Sequence, residues 1–183
     1  MSQQQDLKGK NAIVTGGGKN LGALIANNLA KRGANVAIHY NSASSKDDAE
    51  KTLKQLKDAG VKAVAVQADM STKTAVDNYA NARLFSDSLA GLGCQKFDIA
   101  INTVGKVLKK PLTDISEKEY DDMFNANSKA NFFFIQDAAK NLADGGCIIS
   151  IVTSLLGAFT GFYSTYQGSK APVEWFTKAA AKE

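Results

Sequence analysis

The chain contains few of the residues that build metal centres and hydrolytic sites. It has one histidine and two cysteines in 183 residues. A single His39 excludes sites that need several histidines, and it is the only imidazole available to a serine–histidine–aspartate arrangement. His39 lies inside an apolar, strand-like run, which argues against a catalytic base there. Cys94 and Cys147 lack the spacing of zinc ligands, so we expect two free thiols in a reducing compartment.

Proline, arginine and long apolar runs are also scarce. The longest apolar runs, such as 147–152, are far shorter than the roughly 20 residues of a membrane helix. Residues 1–10 have no apolar signal-peptide core, so we expect a soluble, cytoplasmic protein with no membrane partner. The formal charge is +4, but only Arg32 and Arg83 carry the forked guanidinium that reads phosphates or guanines. We therefore predict no nucleic-acid partner.

Short apolar segments alternate with amphipathic segments along the whole chain. The apolar segments are rich in Val, Ile and Ala and predict buried parallel strands. They lie at 12–14, 36–40, 61–66, 97–101 and 147–152. The helix-like segments lie at about 20–32, 45–59, 72–90, 116–142 and 164–183. This alternation predicts one α/β domain over residues 1–183, a three-layer, doubly wound parallel sheet with helices on both faces.

Capping and glycine signals mark the predicted helix ends. Ser45 with Asp48, and Ser116 with Glu119, have the spacing of capping boxes. Glycine commonly follows the last turn of a helix. The glycines at the expected helix ends are Gly33, Gly60, Gly145 and Gly146. Pro172 falls inside the last predicted helix, where it should delete one backbone hydrogen bond or kink the helix.

A glycine-rich turn follows the first predicted strand. The sequence T-G-G-G-K-N-L-G from Thr15 to Gly22 runs directly into a helical pattern, although it lacks strict G-x-G-x-x-G spacing. A turn without Cβ atoms lets backbone N–H groups and the helix dipole approach a pyrophosphate. The alternative is a tight turn that binds no ligand.

The end of the second strand indicates which dinucleotide would bind. An acid about 20 residues after such a turn binds the ribose 2′-OH of NAD. Here the strand ends in H-Y-N-S, and no acid appears before Asp47. Nearby side chains could neutralise or hydrogen-bond a 2′-phosphate. They are Lys19, Ser42, Ser44, Ser45 and Lys46. We predict NADP(H) rather than NAD(H), with Lys46 as a solvated helix residue being an open alternative.

Tyr166 and Lys170 are four residues apart in the last predicted helix, which places them on one face. A nearby ammonium favours the phenolate form of a tyrosine, and such a group can exchange a proton with a carbonyl oxygen. A pair of this kind also arises by chance in a lysine-rich chain. Its context is more informative, because Ser154 ends the preceding strand at the edge where open α/β sheets bind ligands.

These features resemble the short-chain dehydrogenase/reductase family. The turn is similar to the family's T-G-x-x-x-G-x-G, with Asn20 in place of the middle glycine. The I-N-T-V-G segment at 101–105 resembles the family's N-N-A-G. Asp69, in Q-A-D-M, is similar to the aspartate that contacts adenine, and Asn127 lies where the family places a helix asparagine. Lys19 matches the basic residue of NADP-preferring members.

The resemblance implies a Rossmann-like fold and roles for individual residues. It implies that Tyr166 is the general acid/base, and that Lys170 stabilises the phenolate and binds the nicotinamide ribose. Ser154 would hydrogen-bond the substrate oxygen, and Asn127 would hold a water of the proton relay. Thr153 is the alternative to Ser154, because the family's commonest spacing to the tyrosine fits it. The cofactor-binding candidates are Gly16, Gly18, Lys19, Asn20, Leu21, Gly22, Tyr40, Asn41, Ser42, Asp69, Met70, Asn102, Gly105, Tyr166 and Lys170.

The resemblance covers only the amino-terminal part of the family's fold, from about Leu7 onward. The chain ends in strong helix formers, so we expect carboxyl-terminal strands and a substrate lid to be missing. The expected substrate is a small carbonyl or alcohol. The aromatic residues at 158–163 could line its pocket, with ordinary loop packing as the alternative. Lys106, Lys109 and Lys110 could attract an acidic substrate or acyl carrier, with a solvated loop as the alternative. The resemblance also implies a homodimer or homotetramer. The alternative function is a non-catalytic dinucleotide-binding or regulatory domain. A flavodoxin-like phosphate binder would leave Tyr166 and Lys170 unexplained.

Overall fold

Five parallel strands form one sheet in the part of the chain that the structure describes. The computed structural model describes residues 5–71 and 80–183, without the side chains of residues 80–82. The strands are β1 (Asn11–Thr15), β2 (Asn35–Tyr40), β3 (Ala63–Gln67), β4 (Phe97–Asn102) and β5 (Leu142–Ser150). Their order across the sheet is β3-β2-β1-β4-β5. The predicted doubly wound, Rossmann-like fold is confirmed.

Helices cover both faces of this sheet. They are α1 (Asn20–Lys31), α2 (Lys46–Asp58), α3 (Ala80–Leu92), α4 (Glu117–Phe124), α5 (Ala130–Asn141) and α6 (Ser164–Ala180). The first part of the predicted helix 72–90 lies outside the described residues, and α3 supplies the rest. α6 continues through Pro172. No helix within 5–71 and 80–183 is long and apolar enough to cross a bilayer.

Alternation along the strands divides the core into two layers. Successive strand residues point to opposite faces. Ile13 faces a cluster with Phe85 and Phe134 of α3 and α5. Its neighbour Val14 faces the other cluster, with Leu29 of α1. The sheet is therefore buried on both sides, as parallel sheets are.

The strand order reverses direction beside β1. β1 pairs with β2 on one side and with β4 on the other, so the connections after β1 and β4 diverge to opposite faces. Such a reversal opens a crevice at the carboxyl ends of the strands. The glycine-rich turn after β1 and the segment after β4 both begin at this crevice.

The predicted helix 116–142 is divided by a π-helical turn. α4 ends at Phe124, residues Asn125–Lys129 form the π turn, and α5 begins at Ala130. At the start of α4 the predicted capping box is present, since Ser116 and Glu119 exchange hydrogen bonds with each other's backbone N–H. Single π turns inside helices are frequent at functional sites.

The second predicted capping box, at Ser45 and Asp48, was wrong. Ser45 precedes α2 but makes no side-chain cap hydrogen bond. Its backbone (φ −105°, ψ 5°) is not in the extended region that lets a capping side chain reach back over the first turn. Ser45 instead closes a short 3₁₀ turn, Ala43–Ser45, that enters α2 directly.

The prediction that Gly145 and Gly146 stop a helix was also wrong, whereas Gly33 and Gly60 follow α1 and α2 with φ of +96° and +83°. α5 ends at Asn141, and the glycine pair lies within β5, which begins earlier than the predicted 147–152. The pairing register jumps from Phe97–Leu142 to Ile99–Cys147, so the intervening residues form a bulge.

β5 forms one border of the sheet within the described residues, because β4 is its only neighbour in the strand order. One face of β5 is also uncovered, because Cys147 is exposed and Ile149, two residues further and on the same face, is 44% exposed. An apolar strand with an open edge is unusual for a parallel sheet.

Candidate active site

The turn after β1 depends on glycine for its shape. Gly16 has φ of +65°, and Asn20 has φ of +49°, the left-handed region that asparagine tolerates better than most residues. A Cβ at Gly22 would lie 2.2 Å from the carbonyl oxygen of Gly16, so only glycine lets the first turn of α1 approach the loop so closely. The sequence thus dictates a turn packed tightly under the start of α1.

The amino terminus of α1 is open. Lys19 precedes the helix, makes no side-chain cap hydrogen bond, and no acid occupies the first turn. The first N–H groups of an uncapped helix carry a partial positive charge and suit an anion. This end of α1 therefore fits a phosphate group.

A cavity of about 280 Å³ lies over this turn. It is bounded by the glycine turn, the end of β2 and the segment after β4. Of the cofactor-binding candidates, the structure gathers around the cavity Gly16, Gly18, Lys19, Asn20, Leu21, Gly22, Tyr40, Asn41 and Gly105. The other candidates are not among its lining residues: Ser42, Asp69, Met70, Asn102, Tyr166 and Lys170. The turn and the strand end therefore meet as the sequence predicts.

Two of the predicted phosphate-binding lysines differ in their surroundings. Lys19 lies on the cavity, with its ammonium 3.9 Å from the carboxylate of Asp48. Lys46 points along α2, where its Nζ lies 3.6 Å from Glu50. Lys46 is therefore the solvated helix residue of the alternative interpretation, and Lys19 is the cation of the cavity.

Three candidates that do not line the cavity contact other parts of the protein instead. Asp69 accepts hydrogen bonds from the backbone N–H and the hydroxyl of Ser71, at 3.0 and 2.7 Å. Met70 is buried in the core. Asn102 accepts from the hydroxyl of Thr15 and from the N–H of Val104, while its buried Nδ2 has no protein partner. The side chain of Asn102 thus holds the turn after β4 by hydrogen bonds and does not reach the cavity.

Lys170 is buried at the inner face of α6. It is only 3% exposed, and its ammonium donates to the carbonyl oxygens of Ile151, at 2.9 Å, and Val104, at 3.4 Å. Burial lowers the pKa of Lys170. A Cβ at Gly105 would lie 2.9 Å from Lys170 Nζ, so a side chain larger than that of glycine would displace the ammonium where the segment after β4 passes it.

The π-helical turn positions Asn127 against the same segment. Asn127 is fully buried; its Oδ1 accepts from the N–H of Lys106 at 2.8 Å, and its Nδ2 donates to the carbonyl of Lys106 at 2.9 Å. Nδ2 also donates to the hydroxyl of Ser169, which in turn donates to the carbonyl oxygen of Tyr166. Both amide hydrogens are used, so only the second lone pair of Oδ1 is left for a water.

Tyr166 and the two candidates for the substrate-binding hydroxyl, Ser154 and Thr153, are more accessible than Lys170 and Asn127. Tyr166 is half-buried, and its ring meets the ring of Tyr163 edge-on with centroids 6.2 Å apart. Ser154 is exposed at the start of a 3₁₀ turn. The Thr153 hydroxyl accepts from the N–H of Leu155 at 3.3 Å and so caps this turn. Ser154 is the freer of the two hydroxyls.

The segment after β4 joins the cavity to the buried lysine. Thr103, Val104 and Gly105 line the cavity, and Val104 and Gly105 also border Lys170. The sequence model of the short chain dehydrogenase family matches residues 10–183. The chain belongs to this family.

Relatives of this short-chain dehydrogenase support the assignment. The hydroxynaphthalene reductase-like protein Arp2 of Metarhizium brunneum is 37% identical over 179 residues, which are 97% of this chain and 63% of that protein. A dehydrogenase of Burkholderia cenocepacia solved with bound NADP is 54% identical, with a TM-score of 0.90, and the match covers 98% of this chain and 65% of that one. A blue fluorescent protein from a metagenomic library, solved in complex with NADPH, is 34% identical with a TM-score of 0.87 and covers 97% of this chain and 69% of that one. The chain thus spans about two thirds of the length of the proteins it matches.

Sequence reasoning missed several residues of this dehydrogenase's cavity. His39, Asp48 and Thr103 line it. Asp48 was predicted only as a capping residue, but it lies in the first turn of α2, and its place shortly after the end of β2 is the signal that the sequence offers. Thr103 donates a hydrogen bond of 2.7 Å to the carbonyl of Thr15 and holds the two strand ends together.

Proposed function

We propose that this chain binds NADP(H) and carries the proton-transfer residues of a carbonyl reductase or alcohol dehydrogenase. The observation that carries the proposal is the shared segment 103–105, which lines the cavity over the glycine turn on one side and borders Lys170 on the other. A phosphate-binding turn that this segment joins to Lys170, four residues from Tyr166 on α6, suits hydride exchange with a carbonyl. When bound, the nicotinamide would supply or accept the hydride.

NADP(H) is favoured over NAD(H) by the charges at the end of β2. Tyr40 and Asn41 line the cavity without a carboxylate of their own, and Lys19 faces it. Asp48 opposes this preference, but its partner is Lys19 itself. The two similar proteins solved with NADP or NADPH support the same choice.

In the proposed reaction, Tyr166 donates a proton to the carbonyl oxygen during reduction and removes it from the alcohol during oxidation. The Ser154 hydroxyl hydrogen-bonds the same oxygen, with Thr153 as the alternative. Lys170 stabilises the phenolate and holds the nicotinamide ribose. Asn127 fixes the position of the backbone around Tyr166 and holds a relay water through Oδ1.

We further propose a small aromatic or apolar ketone as the substrate. Phe159 and Phe162 are 85% and 57% exposed on the segment that leads to Tyr166. Of the lysines at 106–110, Lys110 is neutralised by Glu119 at 2.8 Å, whereas Lys109 lies over the ring of Tyr163. The similarity to a hydroxynaphthalene reductase-like protein supports an aromatic substrate.

A homodimer or homotetramer in the cytoplasm completes the proposal. Phe132 of α5 and Trp175 of α6 are 42% and 67% exposed, and Tyr120 stacks on Phe124 beside an open groove at α4. Exposed aromatic side chains on adjacent helices are typical of association surfaces. The two free cysteines suit a reducing compartment. Size-exclusion chromatography with light scattering tests the oligomeric state.

Titration with NADPH and NADH, followed by NADPH oxidation with a panel of aromatic and aliphatic ketones, tests the function. Tyr166→Phe should abolish turnover while leaving NADPH binding, whereas Tyr163→Phe, in the neighbouring ring, should retain turnover. NADPH binding without turnover in the unmodified chain would favour the non-catalytic domain. Absence of NADPH binding would refute the proposal.

The cofactor preference has its own matched pair of variants. Lys19→Ala should weaken NADPH binding by roughly 3- to 10-fold and leave NADH binding unchanged, because one charge-assisted contact to a partly exposed phosphate is lost. Lys46→Ala should change neither affinity. Tighter binding of NADH than of NADPH by the unmodified chain would overturn the preference.

A further inference from the structure

The single histidine of the chain joins three segments around the cavity. His39 is the penultimate residue of β2, is 1% exposed, and is one of the residues that line the cavity. Its Nδ1 accepts a hydrogen bond from the backbone N–H of Gly16 at 3.1 Å. Its Nε2 lies 2.7 Å from the carbonyl oxygen of Ala68, just beyond β3. The ring thus connects the glycine turn to the segment that continues into Asp69.

These two contacts determine the protonation state of the ring. An N–H group can only donate, so Nδ1 must carry a lone pair toward Gly16. A carbonyl oxygen can only accept, so Nε2 must carry the hydrogen toward Ala68. The imidazole is therefore the neutral Nε2–H tautomer, and a doubly protonated ring could not keep the contact to Gly16.

Backbone hydrogen bonds around His39 reinforce the same connection. The N–H of Gly17 donates to the carbonyl of His39 at 3.0 Å, and the N–H of Ala68 donates to the carbonyl of Tyr40 at 3.1 Å. The backbone thus fixes the approximate position of the turn. The imidazole adds a side-chain acceptor for the N–H of Gly16, whose left-handed conformation starts the turn.

We propose that His39 is a positioning residue of the dinucleotide site, which holds the glycine turn in its anion-binding shape by accepting from Gly16 while anchored on Ala68. The proposal rests on the proposed NADP(H) binding and extends it, because it makes the affinity depend on the neutral imidazole. Protonation of the ring replaces the acceptor at Nδ1 with a second donor and displaces Gly16. NADPH affinity therefore falls in acid.

The charged groups around the ring are few within the described residues. Burial is the largest influence and lowers the pKa of His39, although the hydrogen bond to the carbonyl of Ala68 and the carboxylate of Asp69, after β3, act in the opposite direction. Lys19 and Asp48 border the same cavity and pair with each other. The neutral ring, and with it the intact turn, is thus maintained at neutral pH.

Two amide substitutions separate the two contacts of the ring. In His39→Asn, Oδ1 can take the place of Nδ1 and still accept from Gly16; in His39→Gln, Nε2 can take the place of the ring Nε2 and donate to Ala68. We expect His39→Gln to raise the NADPH Kd about tenfold, since the bond to the turn is lost, and His39→Asn to raise it about threefold or less. Kd is measured by NADPH fluorescence.

Asn35 offers a matched control at the other end of β2. Its side chain also bridges neighbouring strands, donating to Asn11 Oδ1 at 3.0 Å and accepting from the N–H of Lys62 at 3.1 Å. Asn35→Ala should lower the melting temperature but leave the NADPH Kd unchanged. A His39→Gln protein that folds and binds NADPH as tightly as the unmodified chain would overturn the proposal. Absence of NADPH binding by the unmodified chain would refute the proposed function instead.

The unmodified chain provides a second readout that needs no variant. Because His39 is the only histidine, the ¹⁵N imidazole spectrum reports one ring, and it should show the Nε2–H tautomer at pH 7. An Nδ1–H tautomer or a protonated ring at that pH would contradict the inference. NADPH affinity should fall as the ring protonates, and this part of the pH dependence should be absent in His39→Asn. Ionisation of the ligand's own phosphates affects both proteins equally, so it cannot produce a difference between them. An identical pH dependence in both proteins would also overturn the proposal.

Discussion

One added methyl group at Gly105 tests whether the ammonium of Lys170 is held in a fixed place. The Cβ of an alanine there would lie 2.9 Å from Lys170 Nζ and 3.2 Å from Asn127 Oδ1. Ordinary contacts need about 3.5 Å, so the ammonium must move by about 0.6 Å. Asn127 cannot give way, because it is fully buried and hydrogen-bonded to both backbone groups of Lys106.

The displacement should cost stability that a thermal melt can detect. Overpacking costs about 1–3 kcal/mol, and the lower entropy of the unfolded alanine chain offsets about 0.4–1 kcal/mol of it. The net loss is therefore up to about 2.6 kcal/mol, which lowers the melting temperature of a domain of this size by up to roughly 10 °C. Against a glycine-to-alanine control that shares the entropy gain, the difference is the full overpacking cost of about 1–3 kcal/mol, or roughly 2–12 °C. Because Lys170 is the proposed ribose contact, Gly105→Ala should also weaken NADPH binding.

Gly161→Ala is the control for this experiment. A Cβ at Gly161 has no atom within 4 Å, so the melting temperature should stay the same or rise slightly. Circular dichroism melts of both variants at one pH provide the comparison. If Gly105→Ala melts as high as Gly161→Ala, Lys170 moves without cost and the rigid arrangement at 103–105 is refuted.

Three further perturbations test other parts of the fold. Ser116→Ala should lower the free energy of unfolding by about 0.5–2 kcal/mol in urea titrations, whereas Ser45→Ala, which removes no cap, should change it by less than about 0.5 kcal/mol; equal effects would contradict the capping assignment. Gly22→Ala should cost about 3 kcal/mol or more, because its Cβ meets the backbone of Gly16, and a native-like urea midpoint would contradict the tight turn. Burial lowers the pKa of His39, so the unfolded chain binds more protons below about pH 6.5, and the free energy of unfolding should fall from pH 6.5 to 5. A urea midpoint that stays constant over this range would contradict a buried neutral ring.

The fold was predictable because each strand is a short apolar run between amphipathic segments. Val14 and Ile38 lie in short apolar runs whose composition predicts buried strands, and both residues are fully buried. The bulge of β5 was not predictable, since Gly145 follows a helix as a stop signal would. Its place in a strand depends on the pairing of Leu142 with Phe97, a contact between residues far apart in sequence.

The candidate site was predictable where chemistry follows directly from a local motif. The glycine turn and Lys19 meet at the cavity as expected, since adjacent residues of one turn cannot separate. The roles of His39 and Asp48 required the packing of β2 and α2 around the turn. The π turn gave no compositional signal either, because the contacts of Asn127 reach Lys106 and Ser169, 21 and 42 residues away.

The irregular turn between α4 and α5 has a consequence for the chain's length. A π turn closes its hydrogen bonds over five residues where an α-helix uses four, so it holds one extra residue with little change in the direction of the helix that follows. Removing one residue from Asn125–Lys129 would therefore let an unbroken α-helix form while Phe134 and Ile135 still face the sheet. The contacts that the π turn gives Asn127, to Lys106 and to Ser169, would be lost instead. A deletion at this joint should thus spare the aromatic core and disturb the candidate site.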